Sequence, residues 1–306
     1  MQRWPSLKQL QYLVALDEHK NFNRAAKACH VSQSTLSTGI QTLEDMMGLQ
    51  LVERDHKSFI MTPVGMEIVT RARHLLSDAR DLMELGQQQG GVMHGTVRLG
   101  CIPTIAPFLL SKLLQVCGKA YPELELLLRE DTTTNLLKQL EQGQLDLLIL
   151  ALPVEIGGFH SKVVGMDPFH MVMPSHMAAG LHMPFDYKEL PNQSIFLLER
   201  EHCLTEHAVS ACRLRDKSKI NPFAATSLHT LVQMVGAGLG TTFLPQMAID
   251  AGILDNSDLV AIPLPGEKPY REIGLVWRPS TTRVQTFYKL SELLTPLIAP
   301  AREKTE

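Results

Sequence analysis

The chain lacks long apolar runs and has few cysteines, and each shortage excludes a class of protein. No apolar stretch approaches the roughly 18 residues that a membrane helix needs. The opening residues, MQRWPSLKQ, lack the apolar core of a signal peptide. The 5 cysteines are an odd and sparse set. We therefore expect a cytoplasmic protein in which a cysteine is by default a small buried side chain.

An excess of positive charge is also missing. The formal net charge is -3, so nothing indicates a protein that coats nucleic acid with its whole surface. Any contact with DNA must therefore be local. With 44% hydrophobic and 20% charged residues over 306 positions, the chain has an ordinary globular composition and the length of two or three domains.

The N-terminal residues predict a helix-turn-helix. In SLKQLQYLVALDEHK the leucines recur at helical spacing, and Ser6 is the expected N-cap. A second short helix follows Asn21 and Phe22, and a third begins behind Ser32 and ends at Gly48. In such a pair the second helix lies in the major groove of DNA.

The start of this third helix offers short hydrogen-bonding side chains that suit base edges and phosphates. The predicted DNA-binding residues are Ser32, Gln33, Ser34, Thr35, Ser37 and Thr38, with Arg54 and Lys57 in a wing of two short strands. The alternative is that the serines and threonines only cover a solvent face. Their spacing alone does not decide between these two interpretations.

A long helix is predicted from Thr62 and Pro63 onward, with proline in the first turn, where a helix tolerates it. Its apolar residues repeat at coiled-coil spacing. They are Ile68, Ala72, Leu75, Ala79 and Leu82, which step by four and three, and Val69, Leu76 and Met83, which step by seven. With the linker GQQQGGVMHG behind it, this seam favours dimerisation over packing against its own domain.

From Thr96 onward strands and helices alternate, which predicts a parallel sheet. The predicted strands are TVRLGCIP, ELELLLRED, LDLLILALP, FHMVMPSH, SIFLLER, NPFAAT, GTTFLP and REIGLVWR. The predicted helices run from Thr104 to about Tyr121, from about Thr134 to Gln142, from Ser227 to Ala237, and over VQTFYKLSELLTPLI. Ligands of such sheets bind beyond the carboxyl ends of the strands, next to helix N-termini.

Side chains with polar or reactive groups stand at three of these junctions, in Cys101-Ile102-Pro103-Thr104, in Asp131-Thr132-Thr133-Thr134, and in Glu201-His202-Cys203. A threonine at such a place is more often a plain helix cap than a ligand. A thiol at a helix start is different. Beside His202 and facing a cation such as Arg271, it is expected to shift toward the reactive thiolate.

The stretch EREHCLTEHAVSACRLRD places Cys203 and Cys212 nine positions apart. On its own it is compatible with a metal site, a disulfide, a nucleophile or a packed core. A zinc site of His202, Cys203, His207 and Cys212 is conceivable, since Cys203 and His207 share a helix face. The nine-residue interval, however, lacks the tight paired spacing of structural zinc sites. The remaining cysteines, which we interpret as packing residues, are Cys29, Cys101 and Cys117.

The segment FNRAAKACHVSQSTLSTGIQTLEDMMGLQLVER, Phe22 to Arg54, resembles the winged helix-turn-helix of LysR-type transcriptional regulators, which typically reads FxxAAxxxxxSQPxLSxxIxxLExxLGxxLFxR. The chain from Thr226 to Pro245 is similar to the family's effector domain. The resemblance implies a two-lobed α/β effector domain, like that of periplasmic binding proteins. A winged helix-turn-helix and a linker helix that joins two DNA-binding heads would precede it. The expected bounds are 1–61 for the DNA-binding domain, 62–89 for the linker helix, 90–95 for a hinge, 96–165 with 271–306 for lobe I, and 166–270 for lobe II.

The cysteine segment resembles the hydrogen-peroxide-sensing branch of this family, whose HCL motif here is His202, Cys203 and Leu204, with Cys212 at the same interval. The resemblance implies that peroxide oxidises Cys203 to a sulfenic acid and that Cys212 then closes a disulfide. The residues implied to bind peroxide are Thr104, Thr133, His202 and Arg271. The implied partners are two-fold promoter DNA, further copies of the chain in a homodimer or homotetramer, RNA polymerase, and thioredoxin or glutaredoxin as reductant, with no cofactor, metal or membrane.

Some positions differ from the family's usual residues. Ser34 replaces a proline, and Gln41 and Thr42 replace a basic pair, so we expect weaker and less salt-sensitive DNA binding. Around the thiol, EHCLTEH stands where the branch often has GHCLRDQ. Because Glu201 adds an acid and Thr205 removes a base, a higher thiol pKa is expected.

Other functions remain open from the sequence. One is a regulator of the same family that binds a small organic effector at Thr104 and Thr133 and has inert cysteines. Another is an enzyme or a solute-binding protein on the same fold, which the winged helix-turn-helix argues against. We therefore expect a regulator and not an enzyme.

Overall fold

The computed structural model describes residues 4–54, 59–86, 92–180, 190–199, 203–211, 214, 216–264 and 269–298. The chain forms two compact units, one of residues 1–89 with 141–144 and one of residues 90–140 and 145–306. Several residues predicted to be functional lie outside the described ones, namely Lys57, Glu201, His202 and Cys212, together with the side chain of Arg54. Within the described ranges, no helix is both long and apolar enough to cross a membrane.

The first unit contains the predicted helix-turn-helix and wing. Its elements are α1 (Leu7–His19), α2 (Phe22–Ala28), α3 (Gln33–Met47), and the antiparallel strands β1 (Val52–Arg54) and β2 (Phe59–Met61). Ser6 accepts a hydrogen bond from the backbone N–H of Gln9 in a capping box, and the Asn21 side chain caps α2. Gly48 ends α3 with a left-handed φ of 66°, a conformation that glycine adopts without strain. The three predicted helices are therefore confirmed, with these caps.

The apolar residues of helix α4 (Pro63–Gly86) are buried in its first half and largely exposed in its second half. In its first half, Val69 and Ala72 are buried in the core of the unit. In its second half, Leu75, Leu82 and Met83 are 53%, 69% and 66% exposed. The alternative of packing against the same domain thus holds for the first half. The exposed side chains of the second half are those that a partner helix would cover.

The second unit is built on a 9-stranded sheet of order β4-β3-β5-β11-β6-β9-β7-β8, with β10 paired to β6. The strands are β3 (Gly95–Cys101), β4 (Leu124–Glu130), β5 (Leu147–Leu152), β6 (His160–Pro174), β7 (Ile195–Leu198), β8 (Ile220–Ala225), β9 (Thr241–Pro245), β10 (Leu259–Pro263) and β11 (Tyr270–Trp277). The helices are α5 (Ala106–Ala120), α6 (Thr133–Glu141), α7 (Ser175–Ala178), α8 (Cys203–Ala211), α9 (Leu228–Gly236), α10 (Gln246–Asp250) and α11 (Val284–Ile298).

Strand β6 joins the two halves of this sheet. Its first half pairs with β11, and its second half pairs with β9 and β10. The predicted strand FHMVMPSH covers only the second half, because the first half contains the polar residues of HSKVVGMD and is mostly exposed or half-buried. Strand β10 and the short helices α7 and α10 were not predicted. Strand β5 is buried along its whole length, as expected for a strand with both faces covered.

Strand direction brings the first two predicted junctions, those after β3 and β4, to one edge of the sheet. Strands β3, β4 and β5 run parallel, and each of β3 and β4 ends just before a helix. Strand β11 runs antiparallel to β5, with Glu272 opposite Leu152, so β11 begins where β5 ends. Arg271, the second residue of β11, therefore stands at the carboxyl edge of the parallel strands, where ligand sites form.

Candidate functional site

Arg271 is the centre of the site, and its charge is already paired. Its side chain is fully buried, and its Nε and Nη2 donate to Oδ2 of Asp167 at 3.0 and 2.9 Å. The two residues are directly opposite each other on β11 and β6. The other carboxylate oxygen of Asp167 accepts from the backbone N–H of Met247 at 2.9 Å. The guanidinium is thus held in place by a buried ion pair.

Thr104 connects this ion pair to the helix that follows β3. Its hydroxyl oxygen accepts from Nη1 of Arg271 at 2.8 Å, and its carbonyl oxygen accepts from Nη2 at 2.9 Å. The N-cap of α5 is Ile105, which makes no side-chain cap bond, so Thr104 is not a plain helix cap. Because the Thr104 oxygen accepts from Arg271, its own O–H remains available to donate to a bound molecule.

Thr133 is the first residue of α6 and is buried. The turn before it is held by Asp131, whose carboxylate accepts from the Thr132 N–H at 2.9 Å and from the Asn135 and Gln139 side chains at 2.8 and 3.1 Å. Burial raises the pKa of Asp131, but these hydrogen bonds outweigh it and leave the pKa below its ordinary value. The ionised carboxylate fixes the backbone from which Thr133 reaches the site.

Cys203 begins α8 and is half-buried. The Thr133 side chain forms a hydrogen bond with its thiol, and the charge of Arg271 acts on it. Burial nevertheless raises the pKa of the Cys203 thiol, and the Thr133 bond and Arg271 lower it only in part. Arg271 thus shifts the thiol toward thiolate, as expected, but the pKa of the thiol is raised overall, and His202, the other residue of this expectation, lies outside the described residues. The physical reason for the raised pKa is desolvation, together with the partner that Arg271 already has in Asp167.

His207 lies one turn further along α8. Its Nε2 is 2.8 Å from the carbonyl oxygen of Pro153, which follows β5. Burial lowers the pKa of His207, and the nearby charge of Arg271 lowers it further, while the Pro153 carbonyl and Glu206 raise it in part. The ring is therefore neutral at pH 7. Its other nitrogen, Nδ1, is buried and has no hydrogen-bond partner among the described residues.

The structure thus brings together Thr104, Thr133, Cys203 and Arg271 of the predicted peroxide site, whereas His202 and Cys212 lie outside the described residues. Asp167 was missed by the sequence analysis. Its signal was a lone acidic residue in the otherwise apolar stretch GMDPFHMVMP. No group of three or more metal-ligating side chains is found where the structure describes the chain, but this leaves the zinc hypothesis untested because two of its ligands lie outside.

The other cysteines agree with their interpretation as packing residues in most respects. Cys101 and Cys117 are buried in the core of the second unit, and burial raises the pKa of both thiols. Cys29 is only half-buried and is the C-cap of α2, in contact with the core of the first unit. All three are free thiols.

The predicted DNA-binding side chains stand at the start of α3. Ser32 is the N-cap and accepts from the Thr35 N–H at 3.1 Å, and its hydroxyl also bonds those of Ser34 and Thr35 at 2.9 and 2.7 Å. The exposed residues of the set are Ser32, Gln33, Ser34, Thr35 and Thr38, while Ser37 is half-buried. Their contact with DNA stays a prediction.

Comparison with known proteins agrees with this architecture. Residues 7–66 match the family of bacterial regulatory helix-turn-helix proteins of the lysR type, and residues 90–296 match the LysR substrate binding domain. The chain belongs to the LysR family. The predicted fold, a winged helix-turn-helix followed by a two-lobed α/β effector domain, is confirmed.

The similar proteins include one from Dickeya chrysanthemi named hydrogen peroxide-inducible genes activator, which is 36% identical over 90% of each chain. The chain is 36% identical to the DNA-binding transcriptional dual regulator OxyR of Escherichia coli, over 94% of each chain. It is 38% identical to the regulator EstR of Acinetobacter baylyi, over 96% of this chain and 98% of that one. The reduced regulatory domain of OxyR2 from Vibrio vulnificus is 64% identical, with a TM-score of 0.66, and covers 68% of this chain and 97% of its own. A full-length OxyR variant from Pseudomonas aeruginosa is 30% identical, with a TM-score of 0.81, over 99% and 100% of the two chains.

Proposed function

We propose that this LysR-family protein is a cytoplasmic transcriptional regulator that senses hydrogen peroxide through Cys203 and forms a disulfide with Cys212. The observation that carries the proposal is the half-buried thiol at the start of α8, bonded by Thr133 and next to the Arg271–Thr104 pair. The name of the Dickeya chrysanthemi relative, hydrogen peroxide-inducible genes activator, supports the same signal. In this proposal His202 also binds the peroxide. Thioredoxin or glutaredoxin reduces the disulfide again, and RNA polymerase responds to the altered binding of the regulator to DNA.

The chemistry has two steps. The sulfur of Cys203 attacks one peroxide oxygen, the O–O bond breaks, and the second oxygen leaves as water, so that the thiol becomes a sulfenic acid. The thiol of Cys212 then attacks this sulfenic sulfur, and a second water leaves as the disulfide forms. In this proposal the Thr104 and Thr133 hydroxyls and the Arg271 charge bind the peroxide and the oxygen that becomes negative, and the contacts that join these groups to one another and to the thiol support it.

A second candidate is a regulator that responds to a small organic effector and has inert cysteines. The raised pKa of Cys203 favours it, because a protonated thiol is a poor nucleophile. The similarity to EstR, whose name specifies no peroxide, is equally compatible with it. The two candidates differ in what peroxide does to the reduced protein.

Peptide mass spectrometry after one equivalent of peroxide separates them. In the wild type we expect loss of two thiols and a peptide in which Cys203 and Cys212 are joined. Cys203→Ser should abolish this reaction, whereas Cys212→Ser should leave a sulfenic acid on Cys203 that a sulfenic-acid reagent labels, since the resolving step comes second. Cys117→Ser is the matched control, because that thiol is buried in the core. Equal oxidation of the wild type and Cys203→Ser would exclude the peroxide proposal.

DNA binding is tested at the start of α3. Ser34→Glu is expected to weaken binding to a two-fold operator by about 100-fold, because a carboxylate set against phosphate costs several kcal/mol. The same change leaves the fold intact, since an acid in the first turn of a helix interacts favourably with its dipole. Ser34→Gln is the uncharged control. A fluorescence anisotropy titration in which Ser34→Glu binds like the control would contradict this placement of the DNA surface.

A further inference from the structure

The segment that joins α6 to β5 belongs by its contacts to the first unit, although the chain on both sides of it lies in the second. Residues 141–144 group with residues 1–89. Within this segment, Gly143 has a left-handed φ of 69°. A Cβ on this glycine would lie 2.7 Å from Cβ of Ser77 and 3.6 Å from the carbonyl oxygen of Arg73, both on α4. The segment therefore packs on α4 at a distance that only glycine allows.

The same part of α4 also holds α1 of the DNA-binding domain. Nη2 of Arg73 donates to Oδ2 of Asp17 at 3.1 Å and to Oε1 of Glu18 at 3.3 Å, near the end of α1. Arg73, Ser77 and Asp17 are all buried. Helix α1 shares one hydrophobic core with α3, whose start carries the predicted DNA-binding residues. A shift of α4 at this place would thus reach the DNA-binding surface through packed contacts.

Helix α6 connects the segment to the redox site. It begins with Thr133, whose side chain bonds the Cys203 thiol, and it ends at Glu141, the first residue of the segment. Nε2 of Gln139 donates to Oδ2 of Asp131 at 3.1 Å, which ties the last turn of α6 to the turn before its start. A short helix held in this way moves as one rigid element, so its two ends are coupled.

Strand β11 connects the same two places a second time. It carries Arg271 of the site near its start, and Arg278 follows its last residue. The buried Arg278 donates through Nη1 to the carbonyl oxygens of Leu140 and Leu145, which flank residues 141–144. One guanidinium therefore holds both ends of the segment, so the segment keeps its shape when α6 moves.

We propose that residues 141–144 transmit the redox state of Cys203 to the DNA-binding helices through the contact of Gly143 with α4. This rests on the proposed peroxide-sensing function and adds to it the route from the thiol to DNA. When the disulfide forms, the thiol is gone and Thr133 loses its partner at the start of α6. Helix α6 is then free to tilt, and the segment at its other end moves against Ser77. Because packed contacts shift between discrete arrangements, α4 and α1 follow.

The test adds one methyl group to this contact in the full chain. Gly143→Ala places a carbon 2.7 Å from Cβ of Ser77, so the segment and α4 must separate. Fluorescence anisotropy gives the affinity of the reduced and the disulfide form for a two-fold operator selected from random duplexes. We expect a ratio of about 10-fold between the two forms of the wild type to fall below about 2-fold in Gly143→Ala. The rate of disulfide formation should not change, because the substitution leaves Cys203 and Thr133 in place.

Two further variants separate the contact from a general loss of stability. Gly238→Ala is the matched control, because Gly238 also has a left-handed φ, of 78°, but no atom within 4 Å of an added Cβ. It should keep the response of the wild type. Ser77→Gly in the Gly143→Ala background removes the Cβ and Oγ atoms that the new methyl group meets, and it should restore the response. Since glycine weakens a helix, such a recovery would not come from a more stable α4.

The outcomes distinguish the route from the function on which it rests. If peroxide does not oxidise Cys203, or if the wild type binds DNA equally in both redox forms, the proposed function fails and the route fails with it. If the wild type responds and Gly143→Ala responds like Gly238→Ala, the segment is only a support and the proposal is overturned.

Hydrogen exchange of the wild type answers the question even if Gly143→Ala folds poorly. On disulfide formation, the α4 amides from Arg73 to Ser77 should change their exchange rates by at least about 5-fold, since the segment moves against this part of the helix. Amides of the preceding turns of α4 serve as the internal reference. Equal exchange of Arg73 to Ser77 in both redox forms would overturn the proposal.

Discussion

Asp167→Asn is expected to lower the free energy of unfolding of the second unit by about 3 to 5 kcal/mol, the usual cost of removing one partner from a buried ion pair. The guanidinium of Arg271 is fully buried, and its hydrogen bonds otherwise go to Thr104. Without the carboxylate, its positive charge stays in the core with no counter-ion. The backbone N–H of Met247 also loses its charged acceptor.

A double substitution tests this explanation. Asp167→Leu with Arg271→Met removes both charges at once, and we expect it to cost less than Asp167→Asn, because no buried charge is left unpaired. Glu292→Gln, which breaks the exposed ion pair with Lys289, is the control and should have no measurable effect. Urea unfolding can be followed by the fluorescence of Trp277, which is buried in β11. If the double variant is less stable than Asp167→Asn, the loss comes from packing and not from the unpaired charge.

The junction residues of the site could be predicted from the sequence, whereas their energetics could not. Thr104 and Thr133 follow the parallel strands β3 and β4, whose carboxyl ends lie at one edge of the sheet. Cys203 follows β7, which runs in the opposite direction in the other half of the sheet. The partner of Arg271 depends on the register between β11 and β6, which places Asp167 opposite it from 104 positions away. No local pattern contains that register. The sequence suggested opposing effects on the pKa of Cys203, but the largest one, burial, is decided by packing and has no local pattern.

The packing of α4 could also be predicted only in part. Its heptad spacing is visible in the sequence, but the pattern is identical for a helix that packs on its own domain and for one that packs on a partner. The structure assigns Val69 and Ala72 to the core of the first unit and leaves Leu82 exposed. Only the tertiary contacts of the first half of α4 show which apolar residues pack on the same domain and which are left for a partner helix.

Oxidation is expected to unwind α8, because the helix and the proposed disulfide exclude each other. From Cys203 to Ala211 the helix rises about 12 Å, at about 1.5 Å per residue. The next Cα atom lies about 3.8 Å from that of Ala211, so even if the chain turns back, the Cα atoms of Cys203 and Cys212 stay about 8 Å apart. A disulfide needs Cα atoms within roughly 7 Å. Cys212 therefore cannot reach Cys203 while every residue up to Ala211 stays helical. At least part of α8 must unfold for the bond to close.

Several contacts of α8 are lost if it unwinds. The Thr205 hydroxyl donates to the carbonyl of Leu198 at 2.7 Å, and His207 contacts Pro153 at 2.8 Å. The side chains of Leu204 and Ala208 are buried in the core of the second unit. Once released, the apolar side chains need new burial, and we expect them to find it at the contact between effector domains in the oligomer. A chemical event at one thiol would in this way bias an element with two arrangements.

Hydrogen exchange measures this directly. On disulfide formation, amides of α8 should exchange on the order of 100-fold faster, the factor that about 2.8 kcal/mol of lost protection produces. Amides of α5, which is distant from α8 in the sequence, serve as the internal reference, and their exchange rates should change little. The effect should extend to the contact between effector domains and alter the length of the DNA footprint, and thioredoxin or glutaredoxin should reverse it.

The Cys212→Ser variant separates the bond from the oxidation itself. Its Cys203 still becomes a sulfenic acid, but no disulfide pulls on the helix, so α8 should keep the exchange rates of the reduced protein. If both oxidised proteins exchange equally fast, the sulfenic acid alone opens the helix, by disturbing the contact with Thr133. If the bonded protein exchanges as slowly as the reduced one, α8 does not unwind when the bond forms. The regulatory change would then have to begin outside Cys203–Ala211.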